Sequence, residues 1–261
     1  MRAIVVDDYP PFLSALTVLL GQKNGVDVIG QADNGADGLR LIEEMRPDLV
    51  LVDFSMPGMG GVELTRRLTE AHEEAGQRFV AAPVFGRPEM AAAAKLFIVA
   101  AGSAEALRIC QPLFDAMGQR TFPLGMEPAA ASLVKLAGNF MIAATIESLG
   151  EALALVGKAG IEPASFVDLL TATLFPAPAY RTYGSLIAER KFQPAGFAAP
   201  LGHKDVRLLL AASESLQVPM PIASLLNDRL LRLIAQGGKK LDWSAISQLA
   251  AQDAGLPHVL R

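Results

Sequence analysis

Two groups of residues have types and spacing that could do chemistry. Asp7 and Asp8 follow the apolar run AIVV (3–6), and Asp53 closes the run LVLVD (49–53). Carboxylates that converge repel one another unless a hard cation sits among them, and Mg²⁺ takes one or two carboxylates together with carbonyl and water oxygens. A carboxylate beside such a cation can attack a phosphoryl group while the metal neutralises the developing charge. Further along, Lys135 and Asn139 stand at i and i+4, which puts both on one face of a helix. A lysine there could donate a proton to a developing alkoxide or amine while the amide orients the substrate. By spacing alone the same pair also suits a solvated helix edge, and strand-end aspartates also serve as turn or cap residues.

The elements that must position these groups can be read from the pattern. AIVV, VDVIG (26–30) and LVLVD are short β-rich runs separated by helical periodicity at 11–22 and 36–45, the alternation of βαβ units in a parallel sheet. In such a sheet Asp7, Asp8 and Asp53 share the C-terminal edge, where ligand sites form. A third helix is expected through VELTRRLTEAHEEAG. Candidate strands follow at FVAAPV (79–84), LFIVAA (96–101) and RTFPL (120–124), with a helix at 104–117. Beyond Gly125 the strand signals stop. Residues 127–157 read as one helix ~45 Å long at 1.5 Å per residue. Helical patterns then recur at 162–173, 179–190, 203–216, 221–236 and 243–253, punctuated by prolines and Gly237-Gly238. The expected fold is α/β, a doubly wound, mainly parallel Rossmann- or flavodoxin-like sheet of about six strands, followed by an all-helical domain. Its parts are residues 1–70, 71–125 and 126–261, with the long helix joining the sheet to the helices.

Of the 261 residues, 51% are hydrophobic and 19% charged, with one cysteine and a net charge of -4. This composition excludes disorder and a disulfide scaffold. Residues 1–72 carry 6 Lys/Arg against 11 Asp/Glu, while the remainder is nearly neutral, so no basic stripe points to nucleic acid. The opening apolar run is too short for a signal-peptide core, and Lys135, Asn139, Glu147 and Glu151 interrupt the Ala-rich stretch that could otherwise span a membrane. The reading is a cytoplasmic protein without membrane or nucleic-acid partners. Cys110 reads as a buried structural thiol, and Glu147 and Glu151 as the polar face of the long helix.

VVDDYPPF, ADNGADGL and RPDLVLVDFSMPGMGGVEL resemble the receiver domain of bacterial two-component response regulators over about residues 1–70. The resemblance implies that Asp53 is the phosphoacceptor, that Asp7, Asp8 and Asp53 hold Mg²⁺ with the carbonyl of Ser55, and that a histidine kinase or small phosphodonor supplies the phosphoryl group. A receiver continues with a Ser or Thr after its fourth strand and a Lys after its fifth. FVAAPVFGRP and LFIVAAGS carry neither at their ends, so the residues that read the phosphoryl group are missing.

From about residue 70 the chain resembles another family. GQRFVAAPVFGRPEMAAAAKLFIVAAG, PLFDAMGQRTFPLG, SLVKLAGNFMIAATIESLGEALALVGKAGIEP and FAAPLGHKDVRLLLAASESLQVPMP are similar to the β-hydroxyacid dehydrogenase superfamily, including its imine reductase-like members. The likeness implies a Rossmann NAD(P) domain joined by a long helix to a helical domain that dimerises. It also implies that Lys135 and Asn139 are catalytic, that Lys204 and Asp205 lie near the cofactor, and that Phe85-Gly86-Arg87 occupy the substrate-binding position. Members usually carry Ser-Gly-Gly at that last position to bind a carboxylate, so its loss here points toward an imine or another substrate. They also open with Gly-x-Gly-x-x-Gly, whose glycines let backbone N–H groups approach the pyrophosphate. Here Val6-Asp7-Asp8-Tyr9-Pro10-Pro11 stands instead, with two carboxylates in the place of the phosphate and two prolines that donate nothing.

Three functions follow as expectations: an oxidoreductase-derived chain with an incomplete NAD(P) site, a phosphoacceptor with Mg²⁺ at Asp53, and an inactive folded scaffold. A homodimer through helices 127–157 and 203–236 is expected in each case. The junction between the two likenesses falls near residues 64–72.

Overall fold

The computed structural model describes residues 1–7, 10–23, 26–53, 69, 70, 72, 74 and 76–256. It divides into two compact units, Met1–Lys135 and Leu136–Arg261.

In the first unit β1 (Arg2–Val6) is buried along Ala3–Val6, as expected of a central strand covered on both faces. After α1 (Pro10–Lys23), β2 (Asp27–Ala32) pairs parallel with one side of β1. After α2 (Gly35–Met45), β3 (Leu49–Val52) pairs parallel with the other, giving the order β2-β1-β3. The Asn34 side chain caps α2 by accepting from the Asp37 N–H at 2.9 Å. Gly38 lets this helix sit close on β1, since a Cβ there would stand 2.8 Å from Val6 Cγ2.

The second half of the unit is a mixed sheet. β4 (Val80–Ala81) and β5 (Val84–Phe85) run antiparallel to β6 (Leu96–Gly102), and β7 (Gly118–Pro123) runs parallel to it. Val80 faces Gly102 and Val84 faces Ile98 in one continuous register, and the Val99 N–H donates to Pro83 O at 2.9 Å. β4 and β5 are thus two halves of one strand, interrupted where Pro83 has no N–H to give. The short helix α3 (Pro88–Ala92), unread in the sequence, follows β5, and α4 (Ala104–Met117) connects β6 to β7 with Ser103 as its N-cap. Alternation along β6 sends Leu96, Ile98 and Ala100 into one core with Ala3, Val5, Leu16 and Leu20. Val99 and Ala101 go to the opposite face, against Ala131.

The α/β class and the helical second half are as read. The single sheet of about six strands is corrected: among the described residues the strands form two sheets. The outer edge of β3 finds no strand partner there, and the strand at 80–85 pairs antiparallel with its successor. Most of the helix expected through residues 62–76 lies outside the described residues.

The 31-residue helix α5 (Pro128–Lys158) carries the chain from one unit into the other. It is long and apolar enough to cross a membrane by length and composition, and in the second unit its Ala143, Ile146, Leu149 and Leu153 are core residues. α6 (Pro163–Ala172), α7 (Pro178–Ala188), α8 (Ala199–Ser215), α9 (Pro221–Ala235) and α10 (Ser247–Asp253) complete this unit. Four of these five start with proline in the first turn, where its missing N–H costs nothing. The core centres on Trp243, which donates from Nε1 to Tyr183 Oη at 3.1 Å and meets Phe197 edge-on.

Candidate functional site

At the C-terminal edge of the first sheet, the Asp53 N–H donates to Val6 O at 2.7 Å, and the Asp7 N–H to Ala32 O at 3.0 Å. Val6 pairs with Val52, so Asp7 and Asp53 are the next residues in register on neighbouring parallel strands. Residues in register on such strands project to the same side of the sheet, about 4.8 Å apart. Two carboxylates at that spacing repel by about 1 kcal/mol even at the dielectric constant of water, and Asp7 is only 4% exposed. A cation between them would remove that repulsion. Asp8 and Ser55, the other two expected Mg²⁺ ligands, lie outside the described residues. Among the described residues no three metal-ligating side chains gather.

The β1–α1 connection offers little to a dinucleotide. Its first residue is the buried Asp7, and α1 opens on two prolines. A pyrophosphate needs glycine-lined N–H groups there and instead meets a carboxylate and two residues without donors. The residues present do not fit the group in its usual mode.

Lys135 is brought to the end of the Pro-Val strand. Its Nζ donates to Val84 O at 2.6 Å and stands 4.3 Å from the centroid of the Phe85 ring. The face of an aromatic ring attracts a cation, so the ammonium is held by a carbonyl dipole and a π face together. Lys135 and Phe85 therefore share a site. Beside them Phe85, Phe97, Phe122, Leu124 and Val134 line an apolar hollow of about 530 Å³, within the size range of small-molecule pockets. Gly86 has φ +153°, and a Cβ there would lie 2.6 Å from Leu96 Cδ2, so only glycine fits. Arg87 turns toward its own helix, with Nε 3.5 Å from Glu89 Oε1.

Asn139 is buried and donates from Nδ2 to Asp205 Oδ2 at 2.6 Å. This bond fixes which way the amide faces, leaving Oδ1 as the end able to accept from a ligand. Lys204 precedes Asp205 on α8, where adjacent residues point about 100° apart, so the Lys-Asp pair does not act as one unit toward Asn139. Cys110 is half-buried, and burial pushes its thiol above the ordinary range, as expected of an unreactive structural thiol.

Two acidic residues were misread or missed. Glu147 is 5% exposed rather than on a solvated face, and its Oε1 lies 2.6 Å from Arg229 Nε; Glu151 is exposed as read. Burial raises the Glu147 carboxyl above its ordinary value, opposed by Arg229 and assisted by the nearby charges of Glu151 and Asp253. Asp242, 1% exposed, accepts from the Gly196, Phe197 and Ser244 N–H groups at 3.0 Å each and from Ser244 Oγ at 2.6 Å. The one available sequence signal was an aspartate two residues before a serine, an N-cap pattern.

The model for "NAD-binding of NADP-dependent 3-hydroxyisobutyrate dehydrogenase" matches residues 129–250, and that for the "Response regulator receiver domain" matches residues 3–94. The second match runs past residue 70 into the strand at 80–85. The uncharacterized oxidoreductase YfjR of Bacillus subtilis is 38% identical over 84% of this chain and 75% of its own length. Response regulator GacA of Pseudomonas viridiflava is 42% identical over 28% of this chain and 35% of its own length. A solved 3-hydroxyisobutyrate dehydrogenase from Salmonella typhimurium superposes with a TM-score of 0.77 at 18% identity, over 95% of this chain and 99% of the other.

Proposed function

Because the chain belongs to the 3-hydroxyisobutyrate dehydrogenase type of oxidoreductase, with a receiver-like segment in its first third, we propose that it derives from a hydride-transfer enzyme. It keeps the substrate side of that enzyme and does not hold NAD(P) in the usual mode. The observation that carries this reading is the end of β1, where the buried Asp7 stands in place of a glycine-rich phosphate loop. The retained groups are Lys135, held over Phe85 as a proton donor, and Asn139, oriented by Asp205. The hollow beside Phe85 suits an apolar substrate better than a small hydroxyacid, because the family's carboxylate-binding serine is Phe85 here. Lys204 and Asp205 are the remnant of the cofactor side, and the helical unit is the dimerisation surface of a cytoplasmic homodimer.

The test is an NADPH- and NADH-oxidation assay with apolar ketones and imines. The expected result is no turnover above that of Lys135→Ala; turnover abolished by Lys135→Ala would restore a working enzyme. A second reading, phosphoacceptor chemistry on Asp53 with Mg²⁺, is favoured by the shared register and side of Asp7 and Asp53. It predicts a mass increase of about 80 Da on incubation with acetyl phosphate and Mg²⁺, lost in Asp53→Asn. An unchanged mass would rule it out.

A further inference from the structure

The apolar hollow beside Phe85 lies within the first unit, and the strands that wall it show what could fill it. Phe85 pairs with Phe97 across β5 and β6, and Phe97 pairs with Arg120 across β6 and β7. Val99 pairs with Phe122, two residues further along each strand. Paired residues project to the same side of a sheet, so Phe85, Phe97, Val99, Arg120 and Phe122 share one face. Phe97, Phe122, Leu124 and Val134 are each at least 36% exposed, and large apolar side chains gathered in this way mark an interaction site. The Arg120 guanidinium carbon stands 4.6 Å from the centroid of the Phe122 ring, and that ring is 6.3 Å from the Phe97 ring. Among the described residues the Arg120 guanidinium has neither an ion pair nor a hydrogen bond, so the ring face is its one contact there. Its N–H donors remain in the planar fork that matches a carboxylate. At the Phe85 end Lys135 is committed to Val84 O and adds a second positive charge, and no carboxylate lines the hollow.

We propose that the hollow binds an amphipathic monoanion of the medium-chain fatty-acid class. The carboxylate is held by the fork of Arg120, and the alkyl chain lies over Phe122 and Phe97 toward Phe85 and Val134. This inference rests on the reading of the hollow as the retained substrate side and names the class of ligand it takes. Charge and shape discriminate among ligands. An amine of the same chain length would bring a cation against Arg120 and Lys135. A small hydroxyacid would leave the phenylalanine walls in water, and its hydroxyl would meet only apolar lining side chains. An uncharged apolar ligand would cover part of the guanidinium and return nothing for the water displaced. A fatty-acid anion lays its apolar part on apolar walls and places its charge on the arginine, where a charge-assisted pair forms.

The test is calorimetric titration of the full chain with sodium octanoate, without nicotinamide, set against octylammonium chloride and sodium acetate at matched ionic strength. Saturable one-to-one binding is expected for octanoate, with none for the other two. Arg120→Gln, at an exposed position, should weaken octanoate binding roughly tenfold, the size of one charge-assisted hydrogen bond. Val134→Asp, also exposed, sets a carboxylate in the hollow and should abolish binding. Octylammonium binding as tight as octanoate, or octanoate affinity unchanged in either variant, would overturn the proposal. So would the absence of saturable octanoate binding, the result expected if a second copy of the chain covers this face. Because no nicotinamide is present, these outcomes are separate from turnover in the NADPH- and NADH-oxidation assay, which would overturn only the reading of a lost cofactor site.

Discussion

Asp242→Asn and Asp242→Ala measure how far one buried carboxylate organises the helical unit. Oδ2 holds the Gly196 and Phe197 N–H groups, and Oδ1 holds the Ser244 N–H and hydroxyl. An asparagine must turn its NH₂ toward one of these pairs. The less costly choice is Ser244, whose hydroxyl can rotate to accept, leaving one backbone N–H orphaned and the charge assistance lost throughout. At about 1–3 kcal/mol per unsatisfied buried donor, Asp242→Asn should cost about 2–3 kcal/mol. Asp242→Ala removes all four acceptor contacts and should cost about 4 kcal/mol, near the top of the range for single substitutions. At roughly 4 °C per kcal/mol for a unit of this size, the asparagine variant should melt about 10 °C lower. Trp243, the chain's single tryptophan, is 2% exposed and adjacent, so its fluorescence reports unfolding of this unit directly. A loss below about 1 kcal/mol in Asp242→Ala would refute the reasoning, since four donors, two buried at Ser244 and two part-buried at Gly196 and Phe197, cannot be abandoned that cheaply.

Gly86→Ala should destabilise the first unit by about 2 kcal/mol or more, from its positive φ and from the contact with Leu96, read as a lowered melting temperature. Glu147→Gln should change the pH dependence of stability. A carboxyl raised in the folded state contributes stability that is fully present below its unfolded pKa and is lost as pH rises through the folded one. Urea midpoints should therefore fall more from pH 4 to pH 8 in the native chain than in the variant. Cys110 should react slowly with a thiol reagent such as DTNB in the folded chain and quickly in urea, because burial holds the thiol protonated; equal rates would contradict that.

Where local chemistry decides, the sequence was readable. Pro163, Pro178 and Pro221 mark first turns, and the helices begin on them. α8 begins at Ala199, earlier than the expected 203, because Pro200 sits in its first turn rather than ending the loop before it. Strand direction was not readable: Val80–Phe85 looks the same in either orientation, and only its register against β6 settles it as antiparallel. Lys135 meeting Phe85 and Asn139 meeting Asp205 depend on tertiary packing, although the residue types had been singled out by motif. Glu147 was misread because glutamates at i and i+4 look like a solvated stripe. It is buried and paired with Arg229 from α9, a partner with no trace in the local pattern. Asp242 was passed over for the same reason, since two of its donors, Gly196 and Phe197, come from a distant loop.

The measurement that bears most directly on the account is fluorescence titration of the full chain with NADPH. Working enzymes bind their substrates in the range of roughly 1 μM to 1 mM. With Asp7 buried at the end of β1 and prolines opening α1, no saturable change in NADPH fluorescence should appear across that range. Saturable one-to-one binding within it would contradict the claim that the receiver-like segment has displaced the dinucleotide site.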